Sequence, residues 1–256
     1  MLTVLHLSDL HVQAYRNRRA NLHLGRLVER LVDAHPAPRP VVVITGDLVD
    51  DGRPAQYRKL LRLLRPLRDA GFRLLAAPGN HDCGPMGNDY RASARVEFQR
   101  HVVADLMGIA AADTASDLMG ELYPMVHELG GVTFIGLDSV AGMLAEGMHF
   151  TRGAIGSAQL VKLRELLAAP CGRRPVVVYL HHHPFDRHFT LALRDSAELM
   201  AVFTDRWPSH ENPPLYGVRH ILAADASTAP AGGFCRVGRA CFALGGLTVD
   251  TLHLPA

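Results

Sequence analysis

Cysteine and lysine are both scarce in this sequence. The four cysteines, Cys83, Cys171, Cys235 and Cys241, form no CxxC pair and no spacing suggestive of a disulfide framework. They read as buried or free thiols of a reducing compartment. Lysine occurs only at positions 59 and 162. The basic charge is therefore carried by arginine, and the net charge of +2 does not point to a nucleic-acid binder. Apolar runs such as Val41–Ile44 and Val176–Leu180 are far too short to span a bilayer. There is no Ser/Gly run, no low-complexity tract, no sustained block of like charge and no repeat at a fixed period. With 256 residues and 48% hydrophobic content to fill one core, a single domain over residues 1–256 is expected. The chain enters a strand-like segment at Leu2 without a basic n-region or a small-residue cleavage site, so a cytoplasmic location is expected.

Histidine, by contrast, is abundant. There are fifteen, and several fall at the ends of strand-like segments, which is the first sign of metal chemistry.

The first part of the chain alternates β-branched runs with helical patterns. Thr3–Leu7, Val41–Thr45 and Arg73–Ala77 read as strands, and Leu22–Ala34 and Ala55–Arg65 as helices. Pro66 is expected to kink or end the second helix. This alternation describes a sheet with helices outside it. A helix is expected around Ala92–Met107. Val126–Glu128 and Val132–Leu137 flank Gly130-Gly131, a hairpin signal. Ser157–Ala168 reads as a helix opened by a serine cap, and Val176–Leu180 as a buried strand. The tail from Phe234 to Leu254 reads as three runs broken at Gly238 and Gly245-Gly246, an antiparallel meander.

Four short motifs stand at the carboxyl ends of predicted strands, where open α/β sheets carry their functional loops. They are Ser8-Asp9-Leu10-His11, the Gly46 to Gly52 run containing Asp47 and Asp50, Gly79-Asn80-His81-Asp82, and His181-His182-His183-Pro184. Singly, each has an ordinary explanation as a polar turn. Jointly, four strands ending in Asp, Asn or His are better explained by one metal site.

In their order, these motifs resemble the calcineurin-like metallophosphoesterase superfamily, and the run from Val43 to Gly52 is most similar to its cyclic-nucleotide phosphodiesterase branch. The resemblance implies a four-layered α/β/β/α sandwich, two mixed sheets flanked by helices. It also implies two divalent or trivalent cations, Mn, Fe or Zn, acting on a small-molecule phosphate ester. Carried over residue by residue, Asp9 and His11 would bind one metal, Asp47 would bridge both, and Asn80 and His181 would bind the second. His182 is the next choice after His181, and His183 reads as a loop residue. His81 would not be a ligand but a general acid or hydrogen-bond donor over the leaving group. Asp50 matches the position that orients this histidine in related phosphatases. Two cations about 3.5–4 Å apart clamp a phosphoryl group and lower the pKa of a bridging water. Asp47 must be a carboxylate, and a bidentate one is expected.

The family normally closes its site with Gly-His-x-His. Here the corresponding strand, Val218 to Ala223, runs into Ala224-Asp225-Ala226-Ser227. Asp225 then stands for one histidine and Ser227 for the other. The second site would keep four ligands, Asp47, Asn80, His181 and Asp225, and the first only three. A degenerate member using the fold as a binding surface is the rival reading, and metal content separates the two. A nuclease shares these motifs, but the near-neutral charge argues against it. The arginine series at 58, 62, 65 and 68 reads as a solvated helix face, His149, His188 and His210 as solvent-exposed loop histidines, Cys83 as a bystander and Trp207 as packing a helix end.

Overall fold

The structure is a computed structural model that describes residues 2–15, 18–109, 122–141, 152–169, 175–184, 193–206, 218–222, 234–243 and 246–255. Strand β1 (Leu2–Leu7) pairs in parallel with β2 (Val41–Thr45), and β2 in parallel with β3 (Arg73–Ala77). Helices α1 (Arg18–Ala34) and α2 (Pro54–Asp69) make the two crossovers between them. The tail adds β8 (Phe234–Ala243), antiparallel to β1, and β9 (Gly246–Pro255), giving the order β3-β2-β1-β8-β9. The second sheet, β4-β5-β6-β7, joins the hairpin β4 (Met125–Leu129) and β5 (Val132–Gly136) to two strands parallel with β5. These are β6 (Val176–Tyr179) and β7 (Val218–Leu222). Both sheets are mixed, as expected.

Side-chain alternation along β5 and β6 shows why the layers stack. Phe134, Val177 and Tyr179 point into the core shared with β1–β3, α1 and α2. The alternate residues Ile135, Val176 and Val178 pack instead against α4 (Ser157–Ala168) and α5 (Ser196–Arg206), through Leu163, Leu167, Leu199 and Val202. A strand with period two and two apolar faces must be covered on both sides, so the α/β/β/α layering follows.

Three local expectations are corrected. Helix α2 runs past Pro66 to Asp69, because Pro66 lies on the exposed face where water can satisfy the carbonyl it frees. Ser157 is inside α4, and Gly156 (φ 85°) holds the cap position, its amide donating to Asp195 Oδ2 at 2.7 Å. The tail forms one long hairpin rather than three runs, since Gly238 pairs within β8 with both His6 and Thr251. The helix expected over Ala92–Met107 is α3 (Ala92–Phe98), which continues as a π-helical segment over Gln99–Leu106. The four arginines of α2 are exposed as expected.

A buried ion pair ties α3 to the second sheet. Arg95 Nη2 donates to Asp138 Oδ2 at 3.1 Å, both side chains being almost wholly shielded. Asp138 also accepts from the amides of Val140 and Ala141, and its backbone is held by Gln159 of α4. Burial pushes the Asp138 carboxyl above its ordinary range, opposed by Arg95 and the two amides. Arg95→Met should therefore cost about 3–5 kcal/mol in urea unfolding, because it strands a buried acid. The Arg95→Met, Asp138→Asn double variant should lose clearly less than the sum of the single losses; simple additivity would show that the pair is not coupled.

Candidate metal centre

Because β1, β2 and β3 are parallel, their carboxyl ends share one edge, and the three loops that leave it carry Asp9, His11, Asp47, Asn80 and His81. The first two loops continue the pairing beyond their strands. The amide of Asp9 donates to Gly46 O at 3.2 Å, that of His11 to Asp47 O at 2.9 Å and that of Val12 to Leu48 O at 3.1 Å. Asp9, His11 and Asp47 pay for this course with left-handed backbone, φ 53°, 43° and 51°. Such angles are uncommon for residues with side chains and concentrate where function fixes them.

The second sheet supplies His181, the residue after Leu180 at the end of β6. Its Nδ1 donates to Thr45 O at 2.9 Å, the last carbonyl of β2, which also accepts from Ser8 Oγ at 2.9 Å. The strand ends of both sheets thus meet at one carbonyl. That bond also fixes the tautomer, leaving Nε2 to face the carboxylates.

The five expected ligands that lie in described residues form one connected chain. His11 Nε2 stands 3.9 Å from Asp9 Oδ1 and 3.6 Å from Asp47 Oδ2. His181 Nε2 lies 3.4 Å from the same Asp47 oxygen and 3.1 Å from Asn80 Oδ1. The ligand atoms of Asp9, Asp47 and His181, and separately those of His11, Asp47 and His81, lie within 4.8 Å of one another. Asp47 belongs to both groups. Its other oxygen, Oδ1, accepts the amide of His81 at 2.9 Å. Oδ2 is therefore the oxygen turned to imidazoles on two sides.

Burial opposes a charge on Asp47, yet His181, which bonds it, and the nearby His81 and His11 hold its carboxyl well below the usual carboxylate range. Burial likewise disfavours a charged His181, but Asp47 pushes that imidazole up to about 10, with Asp9 and the Thr45 carbonyl helping. The site is built to hold positive charge. Two carboxylates, an amide oxygen and imidazoles are donors that suit Mn, Fe and Zn, so the residues fit a metal centre.

Asp82, the last residue of the Gly-Asn-His-Asp motif, does what the sequence did not reveal. Its buried carboxylate accepts the amides of Leu48 at 3.2 Å, Val49 at 3.1 Å and Gly79 at 3.0 Å, clamping the second loop to the third. Burial and the neighbouring Asp47 push this carboxyl up to about 7 against the pull of those three donors. Gly46 and Gly79 are also required, since a Cβ at Gly46 would strike the His181 ring and one at Gly79 would strike the Asp47 carboxylate. His81 Nδ1 donates to the backbone carbonyl of Asp50 at 2.9 Å, while the Asp50 carboxylate is 3.9 Å away. That carboxylate is itself held by Gln13 Nε2 at 2.9 Å and lies 3.5 Å from His11 Nδ1. Asp50 thus meets His81 chiefly through its main chain. His182 is buried and bonded to Ser139 Oγ at 2.8 Å, whereas His183 is exposed. Cys83 is buried and free. Asp225 and Ser227 lie outside the described residues, as do His149, His188, His210 and Trp207.

Two cavities are lined in part by the loop after β1. The larger, about 590 Å³, lies between α1 and α2 and touches none of the expected ligands; the other, about 460 Å³, includes Asp50 in its wall.

Residues 2–202 match the calcineurin-like phosphoesterase family, and the chain belongs to it. It is 32% identical over 209 residues to a cAMP/cGMP dual specificity phosphodiesterase of Mycobacterium tuberculosis, covering 78% of this chain and 56% of that protein. It is 29% identical to a probable cyclic nucleotide phosphodiesterase of Rhodococcus erythropolis, covering 78% of this chain and 59% of the other. The chain thus spans under two thirds of the length of these relatives. The NAD nucleotidase of Haemophilus influenzae shares the fold, with TM-score 0.50 and 12% identity over 99% of this chain and 56% of that one. Among the described residues no helix is long and apolar enough to cross a membrane.

Asp47→Ala should leave a folded protein that retains no cation after dialysis. Gly79→Ala, which drives a methyl group into the Asp47 carboxylate, should weaken metal binding about 10–100-fold, as loss of a ligand's support does. Metal analysis alongside circular dichroism reads both. Undiminished metal in either folded variant would remove Asp47 from the centre.

Proposed function

We propose that this chain hydrolyses a small-molecule phosphodiester at a dinuclear metal centre bridged by Asp47. The observation that carries the reading is the position of Asp47 Oδ2, 3.6 Å from His11 Nε2 on one side and 3.4 Å from His181 Nε2 on the other. Asp9, His11 and Asp47 would hold one cation. Asp47, Asn80 and His181 would hold the other, with Asp225 added on the sequence argument alone. Bound there, the pair would neutralise the phosphoryl oxygens and supply a strong nucleophile near neutral pH.

The protein's own residues do the rest. Asp82 and the Thr45 carbonyl fix Asp47 and His181, so the ligands need not rearrange. Since a carbonyl only accepts, the bond to Asp50 O obliges His81 Nδ1 to carry a hydrogen, so Nε2 would donate to the leaving oxygen from the imidazolium form, which reverts to the Nδ1–H tautomer as the proton is given up. The relatives named as cyclic-nucleotide phosphodiesterases support a diester substrate. The buried free thiol of Cys83 suits a cytoplasmic setting.

A bis-aryl phosphate with added Mn²⁺ is the direct assay: turnover should appear with metal and vanish on chelation. His81→Ala should keep its metal and lose about 10²–10⁴ in kcat, most with poor leaving groups. Turnover that survives exhaustive chelation contradicts the metal mechanism. A His81→Ala variant that loses its metal would make His81 a ligand, as its place beside His11 and Asp47 also permits.

A further inference from the structure

The larger cavity, about 590 Å³, lies between α1 and α2, and its size suits a small ligand. On α1 its lining residues Asn21, Leu22, Gly25, Arg26 and Glu29 recur at steps of three and four, so they share one helix face; Lys59 and Leu63 do the same on α2. Two large apolar residues of the wall are open to solvent, Tyr15 at 89% and Leu22 at 61%. Gly25 stands in mid-helix, where glycine is disfavoured. Helix packing does not demand it: the nearest atom that a Cβ there would meet is Leu63 Cδ2 at 3.8 Å, an ordinary contact. What the missing side chain preserves is the open space of the cavity.

The polar part of the wall has charges of both signs. Arg26 and Lys59 stand against the one carboxylate of Glu29, and among the described residues none of the three is in an ion pair. Asn21 is only 8% exposed, and its Oδ1 has no hydrogen-bond partner among the described residues. A buried acceptor in that state is costly. A simple anion would answer the two cations, but Glu29 would repel it and Asn21 would still lack a donor. A compact head with both a carboxylate and an ammonium group answers all four residues. Its carboxylate faces Arg26 and Lys59, and its ammonium, which only donates, faces Glu29 and Asn21 Oδ1. Tyr15, Leu22 and Leu63 then receive an apolar side chain.

We propose that this cavity binds an apolar α-amino acid and that its occupancy is felt at the metal centre through Gln13. Asn21 Nδ2 donates to Gln13 O at 2.7 Å, and Gln13 Nε2 donates to Asp50 Oδ2 at 2.9 Å. The other Asp50 oxygen lies 3.5 Å from His11 Nδ1 and 3.9 Å from His81 Nδ1. Only this coupling rests on the metal-centre reading, so the site itself is tested on the full chain stripped of metal, where an amino acid cannot ligate a cation. L-Phenylalanine is titrated calorimetrically and should bind. 3-Phenylpropanoate, which lacks the ammonium, and phenylalanine amide, which lacks the carboxylate, should each bind at least about tenfold more weakly. Lys59→Met should weaken phenylalanine about tenfold. Gly25→Leu should abolish its binding without lowering Tm, since leucine is the better helix former. No binding of phenylalanine, equal binding of the two analogues, or undiminished binding to both variants would overturn the site. In Mn²⁺ titrations, saturating phenylalanine should tighten the metal about fivefold. That shift should vanish in Gln13→Ala, which keeps the carbonyl that Asn21 bonds and should bind phenylalanine as before. Phenylalanine that binds yet leaves Mn²⁺ affinity unchanged would overturn the coupling. A protein that takes up no Mn²⁺ would remove the metal centre separately, and the metal-free titrations would still decide the site.

Discussion

Everything around this site depends on keeping one buried carboxylate charged. Asp47 is almost fully shielded from solvent, and an ionised carboxylate in such a place is costly unless positive charge surrounds it. Three histidines, from three different loops, do surround it. That demand explains features that would otherwise be expensive. Asp9, His11 and Asp47 accept left-handed backbone, and Gly46 and Gly79 give up side chains so that His181 and Asp47 can close together. Asp82 spends its own buried carboxylate on the amides of the two loops that present Asp47 and Asn80.

The fold makes that convergence possible at little cost. Parallel pairing of β1, β2 and β3 aligns three chain exits along one edge, and β6 delivers His181 from the other sheet to the same place. The Thr45 carbonyl is the joint: it closes β2, receives Ser8 from the β1 exit and fixes His181. Two sheets packed face to face by the alternating residues of β5 and β6 hold that joint at a defined separation. Cations would thus bind between layers whose spacing is set by the core, a rigid footing for a site that must hold its ligands within a fraction of an ångström.

Much of this was legible in the sequence, because β-branched runs and a 3.6-residue period are local signals. The strands from Leu2 to Ala77, both crossover helices and the hairpin at Gly130-Gly131 stand where the pattern put them. The placement of the polar motifs was legible as well, since each follows its strand directly. What escaped were effects set by distant partners. Pro66 stays helical because of which face it occupies, and the α4 cap is a glycine served by Asp195, nearly forty residues along the chain. Gly238 is held in β8 by pairing on both sides. The roles of Asp82, Gln13 and Ser139 needed contacts across 30 residues or more, or across a loop junction, that no spacing announces.

The central proposal is that Asp47 holds two cations together. Anomalous scattering from Mn²⁺-soaked crystals tests it without reference to any substrate. Two peaks should appear, flanking Asp47 Oδ2, one on the side of Asp9 and His11 and the other on the side of Asn80 and His181. A single peak, or a pair in which Asp47 touches only one ion, would contradict the account.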